Sequence, residues 1–152
     1  MPSAKVHAPT GLVLGAANAF RLSQGQPDLY RAVETISGAF FGASAGVLPD
    51  RIDPPDHPNH RAGGHGLAQT VALTYLANHF TPLAQGKLRA IATELFNQAE
   101  ARPEGFERTM CQVGAFGYLI LSGALPGITA GYASHVALDA FTPKSIPFIG
   151  IE

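Results

Sequence analysis

Six residues with metal-ligating side chains lie within sixteen positions near the middle of the chain. They are Asp50, Asp53, Asp56, His57, His60 and His65, with Arg61 among them. Neutral imidazoles and carboxylates are the usual protein ligands of zinc and similar divalent ions. A solvated loop is the alternative interpretation, because Asp and His are also common in proline-stiffened loops. The segment therefore indicates either a metal-binding loop or a water-exposed one.

His135 and Asp139 form a second candidate element, four positions apart in an apolar stretch. On a helix this spacing places both side chains on one face, where they can chelate one ion as the two histidines of a zincin helix do. A hydrogen-bonded structural pair is the alternative. However, a buried Asp is costly without compensation, and a cation would compensate it.

His7, just before the first predicted helix, is the third candidate element, with an exposed terminal side chain as the alternative. His79 is predicted to lie at a helix terminus beside Phe80, outside the site.

The elements that must position these residues are predicted to be helices. They cover about 10–22, 28–47, 67–79, 83–102, 107–125 and 128–141, with Thr10 and Asp28 as N-caps. The fourth predicted helix is amphipathic, with Lys87 and Arg89 on a water-facing side. Pro126 is expected to kink or interrupt the chain between the last two helices. We expect a single all-α domain over 1–152, a compact bundle of five to six helices with a Pro/Gly/Asp/His-rich metal-binding loop.

Two glycine series have a spacing of four residues: Gly38, Gly42 and Gly46, and then Gly123, Gly127 and Gly131. Small residues at this spacing let helix backbones approach closely. The first series continues to Asp50 and the second to His135 and Asp139, along slowly winding helix ridges. We therefore expect the two helices to pack together and to deliver both sets of ligands to one place. There are two alternatives. The glycine spacing arises by chance in an Ala/Gly-rich chain, or these helix faces form a homo-oligomer contact.

Composition limits the function classes. A net charge of −1 gives no electrostatic case for nucleic-acid binding. Cys111 is the only cysteine, so the chain forms no internal disulfide and no thiolate metal cluster. Charged residues make up only 14% of the chain, so much of the surface must consist of small or apolar residues. Either the helices pack closely and bury nearly all of the apolar residues, or part of the apolar surface contacts lipid or a partner.

The uncharged stretch from Thr109 to Ser134 is long enough to span a bilayer, although Pro126 divides it and the chain has no Trp. A compact domain with an apolar face on a membrane and a set of spanning helices both fit the sequence. We expect no cleaved signal peptide, and a cytoplasmic or inner-membrane-associated location.

The order of these motifs resembles the YdjM-like family of inner-membrane metal-dependent hydrolases. The matching pieces are His7, Gly46-Val-Leu-Pro-Asp50, His60-Arg61-x-x-x-His65 and Gly131-Tyr-Ala-Ser-His135-Val-Ala-Leu-Asp139-Ala-Phe-Thr-Pro143. The chain departs from the family pattern at Asp50 and Asp53, which are three rather than two positions apart, and at the Gly64-His65-Gly66 sequence. A more distant similarity links the arrangement to zinc-dependent phospholipase C and single-strand nuclease folds, as an analogy only.

The resemblance implies an α-helical, divalent-metal-dependent hydrolase, often membrane-associated. We expect a zinc ion first, and manganese or magnesium next, with His7, Asp50, His65, His135 and Asp139 as ligands and Asp53 and His60 as further candidates. The ion would activate water against a small-molecule or lipid phosphoester. Arg61 and Asp53 are the candidate catalytic residues. Arg61 would contact a phosphate oxygen, or pair with Asp53 or Asp56 instead. A non-catalytic structural or membrane-interaction protein on the same scaffold is the alternative function.

Overall fold

The computed structural model describes residues 4–52 and 67–140. Across these residues the chain forms five helices and no strand: α1 (Ala4–Leu22), α2 (Asp28–Ala45), α3 (Leu48–Ile52), α4 (Leu67–Glu100) and α5 (Phe106–Ala140). The predicted all-α bundle is confirmed.

Glycine contacts set the arrangement of the helices. α1 runs antiparallel to α2, with Gly11 against Gly42 and Gly15 against Gly38. α5 runs parallel to α2 on another side of it, with Gly127 against Gly38 and Gly131 against Gly42. A Cβ atom added at any of these positions would collide with the backbone of the opposite helix. The predicted close contact between the two glycine series is confirmed, and α1 joins it through a third series.

The beginning of the first helix differs from the prediction. α1 begins at Ala4, so His7 lies inside the helix and not ahead of it. Thr10 is not an N-cap, because its hydroxyl donates to the carbonyl of Val6 within the helix. Pro9 is the sixth residue of α1, beyond the four N-terminal positions whose N–H groups have no intrahelical partner, so the helix tolerates the loss of one hydrogen bond to the carbonyl of Lys5.

α2 begins at Asp28, which is its first helical residue, while Pro27 occupies the N-cap position. α2 ends at Ala45, and the short helix α3 then holds Asp50. Pro49 fits in the first turn of α3, where a missing N–H costs little.

The predicted interruption at Pro126 is wrong, because α5 is one continuous helix of 35 residues. Proline cannot donate to the carbonyl four residues earlier, which here belongs to Ser122. The buried side chain of Gln85 on α4 donates to that carbonyl at 3.0 Å and replaces the missing bond. Asn18 on α1 donates to the carbonyl of Pro126 itself at 3.1 Å. The side chain of Gln85 therefore compensates for the hydrogen bond that Pro126 cannot donate.

The predicted break between His79 and Leu83 is also wrong, since α4 continues through Pro82 from Leu67 to Glu100. α4 packs along α5 as an antiparallel hairpin. Thr81 and Gln85 are buried on either side of the exposed Pro82. Packing on both sides of the proline outweighs the local cost of one lost hydrogen bond.

The interior consists mainly of small and polar side chains. The buried apolar residues are mostly alanines, with Leu119 as the largest fully buried side chain. Within the described residues, α5 is the one helix that meets the length and hydropathy of a membrane span, and 39% of its apolar window is buried. A core helix of a water-soluble protein meets the same criteria.

Candidate metal centre

Three helices bring four of the predicted ligands together at one end of the bundle. His7 comes from the first turns of α1, Asp50 from α3, and His135 and Asp139 from the last turns of α5. The candidate ligand atoms of His7, His135 and Asp139 all lie within 4.8 Å of one another, and all three residues are buried. The i, i+4 pair on α5 is therefore part of a larger cluster.

Each imidazole faces two carboxylates. Nε2 of His135 is 3.5 Å from Oδ1 of Asp50 and 3.5 Å from Oδ2 of Asp139. Nε2 of His7 is 3.6 Å from Oδ1 of Asp139 and 4.0 Å from Oδ2 of Asp50. Two nitrogens and two carboxylate groups therefore converge on one point.

The separations match those expected around a bound cation. They exceed the roughly 2.7–3.2 Å of an N–H···O hydrogen bond. Zinc holds nitrogen and oxygen ligands at about 2.0–2.1 Å in a tetrahedron, which places the ligand atoms about 3.3–3.4 Å apart. Three of the four N–O distances, at 3.5, 3.5 and 3.6 Å, lie just above that value. Two imidazoles with two carboxylates are also a donor set suited to zinc, manganese and related ions.

A hydrogen bond orients the ring of His135. Its Nδ1 donates to the carbonyl of Gly46, 2.8 Å away at the C-terminus of α2. A neutral ring that donates through Nδ1 presents the lone pair of Nε2, and such bonds commonly fix the tautomer of metal-ligating histidines. The carbonyl of Gly46 reaches His135 because the glycine ridge holds α2 close to α5.

The rings of His7 and His135 stack against each other, with centroids 4.1 Å apart. Both rings are fully buried, and Asp139 is 2% exposed. The side chain of Asp50 is 22% exposed and is the most accessible of the four. Solvent therefore meets the cluster on the side of α3.

The other predicted site residues, Asp53, His60, Arg61 and His65, lie outside the described residues, as do Asp56 and His57. His79 lies away from the cluster, as predicted, but in the interior of α4 rather than at a helix terminus. It is exposed and makes an edge-to-face contact with Phe80.

The chain was compared with family models, curated proteins and solved structures. No match was found in any of the three. The geometry of the cluster therefore carries the functional argument.

Sequence reasoning missed a second polar cluster, centred on a buried ion pair. Arg89 donates to both carboxylate oxygens of Glu34, at 2.7 and 2.6 Å, and also to the carbonyl of Leu22. Ser122 donates to Glu34 at 2.9 Å. The prediction that Arg89 faces water is wrong, since its side chain is 14% exposed and Glu34 is fully buried. This cluster ties together α1, α2, α4 and α5.

Proposed function

We propose that this protein is a divalent-metal-dependent hydrolase that acts on a phosphoester, with zinc as its first-choice ion. The observation that carries the proposal is the convergence of His7, Asp50, His135 and Asp139 from three helices at separations suited to a cation.

The four residues have distinct roles in this proposal. The two imidazoles bind the ion as neutral donors, and the two carboxylates balance its charge. The carbonyl of Gly46 holds His135 in the required tautomer. Asp50, on the accessible side, borders the route by which water and substrate arrive.

A divalent ion at this place supplies Lewis acidity, which activates water and stabilises charge on the attacked phosphorus. The segment that follows α3 carries the remaining proposed groups. His60 and His65 are proposed as further ligands, Asp53 as a group that accepts a proton from water, and Arg61 as the contact to a phosphate oxygen. The order of motifs that resembles the YdjM-like hydrolases supports the same assignment.

Hydrolysis of bis(p-nitrophenyl) phosphate by the purified protein tests this function. We expect zinc-dependent release of nitrophenolate that Asp139→Asn abolishes, because a neutral amide is a weaker ligand of nearly equal size. His79→Gln is the matched control, and its rate should equal that of the wild type, because His79 is remote from the cluster. Equal rates with and without metal, or an undiminished rate in Asp139→Asn, would contradict the proposal.

A non-catalytic membrane-interaction protein is the second candidate function. The observation that favours it is the large number of exposed apolar side chains on α1, α2, α4 and α5, such as Ile36 at 71% and Phe40 at 66% exposure. This candidate predicts membrane association with no phosphoesterase activity, even when the metal site is filled.

A further inference from the structure

The distribution of side chains in this bundle is the reverse of that in a water-soluble protein. Fully buried positions hold Glu34, Gln85, Ser122 and many small residues. Large apolar side chains point outward, including Val13, Phe40, Val71 and Leu83, each at least 60% exposed. Soluble proteins bury most of their large apolar residues. Helices in lipid instead pack through small residues and face the hydrocarbon with large apolar ones.

The contacts between helices show which residues lie at the same height along the bundle. Glu34 of α2 lies against Gly123 of α5, and the two helices run in parallel. Arg31, three residues earlier on α2, therefore lies near the height of residue 120. Gln85 of α4 reaches Ser122 in the antiparallel direction, which places Lys87 near the same height.

Arg21 also lies at this height. Gly15 of α1 lies against Gly38 of α2 in the antiparallel direction, so Arg21 lies about level with residue 32. Arg21, Arg31 and Lys87 therefore form one boundary across three helices, and Lys5, Asp50 and Asp139 lie at the opposite end. The α5 segment between the boundaries, residues 121–138, is about 27 Å long at 1.5 Å per residue. The hydrocarbon core of a bilayer is about 30 Å thick.

The part of the bundle between these two boundaries forms a band. Among the described residues of this band, Glu34 is the one that carries a formal charge. It is fully buried and is paired with Arg89, which reaches it from the boundary. Charged side chains inside a bilayer are characteristically buried and paired in this way. His79 and Asn78 are exposed within the band on α4, and both side chains are uncharged when the imidazole is deprotonated.

The two ends of the bundle differ. One end carries the metal centre. Beyond the other boundary, α4 and α5 continue as a helical hairpin joined by residues 101–105. This hairpin carries the exposed charges of Glu94, Glu100, Glu104 and Glu107. Such groups require water rather than hydrocarbon.

From these observations we propose that α1, α2, α4 and α5 cross a lipid bilayer, with the metal centre at one surface and the α4–α5 hairpin in water on the other side. The hydrocarbon of the bilayer covers the exposed apolar side chains that lie between the two boundaries on these four helices. This arrangement does not depend on whether the metal centre hydrolyses a substrate.

Single cysteines, introduced into a Cys111→Ser background and labelled with a membrane-impermeant maleimide, test this arrangement. Lys5→Cys reports on the end with the metal centre, Glu104→Cys on the hairpin, and Phe40→Cys on the middle of the band. In intact cells we expect one of the Lys5 and Glu104 variants to react and the other to react only after the membrane is permeabilised. Phe40→Cys should stay at least tenfold less reactive than either until detergent is added, because thiols react as thiolates in water.

A second measurement uses the unsubstituted protein, so a folding defect in a variant cannot affect its result. We expect it to remain in the membrane pellet after an alkaline carbonate wash, as spanning proteins do. Its release into the supernatant would overturn the proposal. So would labelling of the Lys5 and Glu104 variants from the same side, or a Phe40→Cys variant as reactive as the other two.

Discussion

A methyl group added at Gly131 should destabilise the fold, although alanine is a better helix former than glycine. The Cβ atom of Gly131→Ala would collide with the backbone of Gly42, which cannot rotate away as a side chain can. Overpacking of this kind costs about 1–3 kcal/mol, and a contact between two backbones belongs at the upper end. The gain in helix propensity offsets about 1 kcal/mol, so the net loss in unfolding free energy is about 2 kcal/mol.

Gly117→Ala on the same helix is the matched control. A Cβ atom there meets no atom within 4 Å, so the propensity gain should stabilise the protein by about 1 kcal/mol. The two variants should thus differ by about 3 kcal/mol, or roughly 6–12 °C in melting temperature for a chain of this length. Thermal unfolding followed by circular dichroism measures this difference.

The same change should weaken metal binding. Gly131 lies one turn before His135, whose ring depends on the carbonyl of Gly46 across the same contact between α2 and α5. Separation of these helices lengthens that hydrogen bond, so zinc affinity should fall in Gly131→Ala and stay at the wild-type value in Gly117→Ala. If Gly131→Ala melts at or above the temperature of Gly117→Ala, the argument for close helix packing is refuted.

Two further predictions concern the polar clusters. A chelator should lower the melting temperature of the wild type by about 5–11 °C, because an ion present at a hundred times its Kd contributes about 2.7 kcal/mol. The chelator's effect should be much smaller in Asp139→Asn and unchanged in His79→Gln. A chelator effect that His79→Gln removes and Asp139→Asn keeps would mean that the wrong residues were assigned to the site. Glu34→Gln should cost about 3–5 kcal/mol of unfolding free energy, because Arg89 is then left buried without its carboxylate. Replacing both Glu34 and Arg89 by leucine should recover most of the lost unfolding free energy, as measured by denaturant titration. A Glu34→Gln variant as stable as the wild type would count against a stabilising role of the ion pair.

The sequence predicts much of the candidate metal centre because the spacing of its residues along the helices carries the information. His135 and Asp139 are one helical turn apart, and the glycine series at steps of four lead directly to Asp50 and to this pair. Close helix packing follows from the same spacing, so the convergence of these groups could be inferred before the fold was known.

The continuity of the long helices could not be predicted in this way. Pro126 is a strong local signal for a helix break. The helix continues because the side chain of Gln85, 41 residues earlier, donates a hydrogen bond to the carbonyl of Ser122. The Glu34–Arg89 pair is similar, because its partners are 55 residues apart and no local pattern connects them. Long-range polar contacts of this kind depend on the tertiary arrangement and leave no periodic signal.

Metal content is the most direct test of the central claim. Elemental analysis should be made on protein purified without added metal and without a metal-affinity column. We expect zinc, or else manganese or magnesium, in stoichiometric amount in the wild type and in His79→Gln, and its loss in His7→Ala and Asp139→Asn. Wild-type protein that is folded and contains no stoichiometric divalent ion, and that takes up none on titration with zinc, would contradict the account.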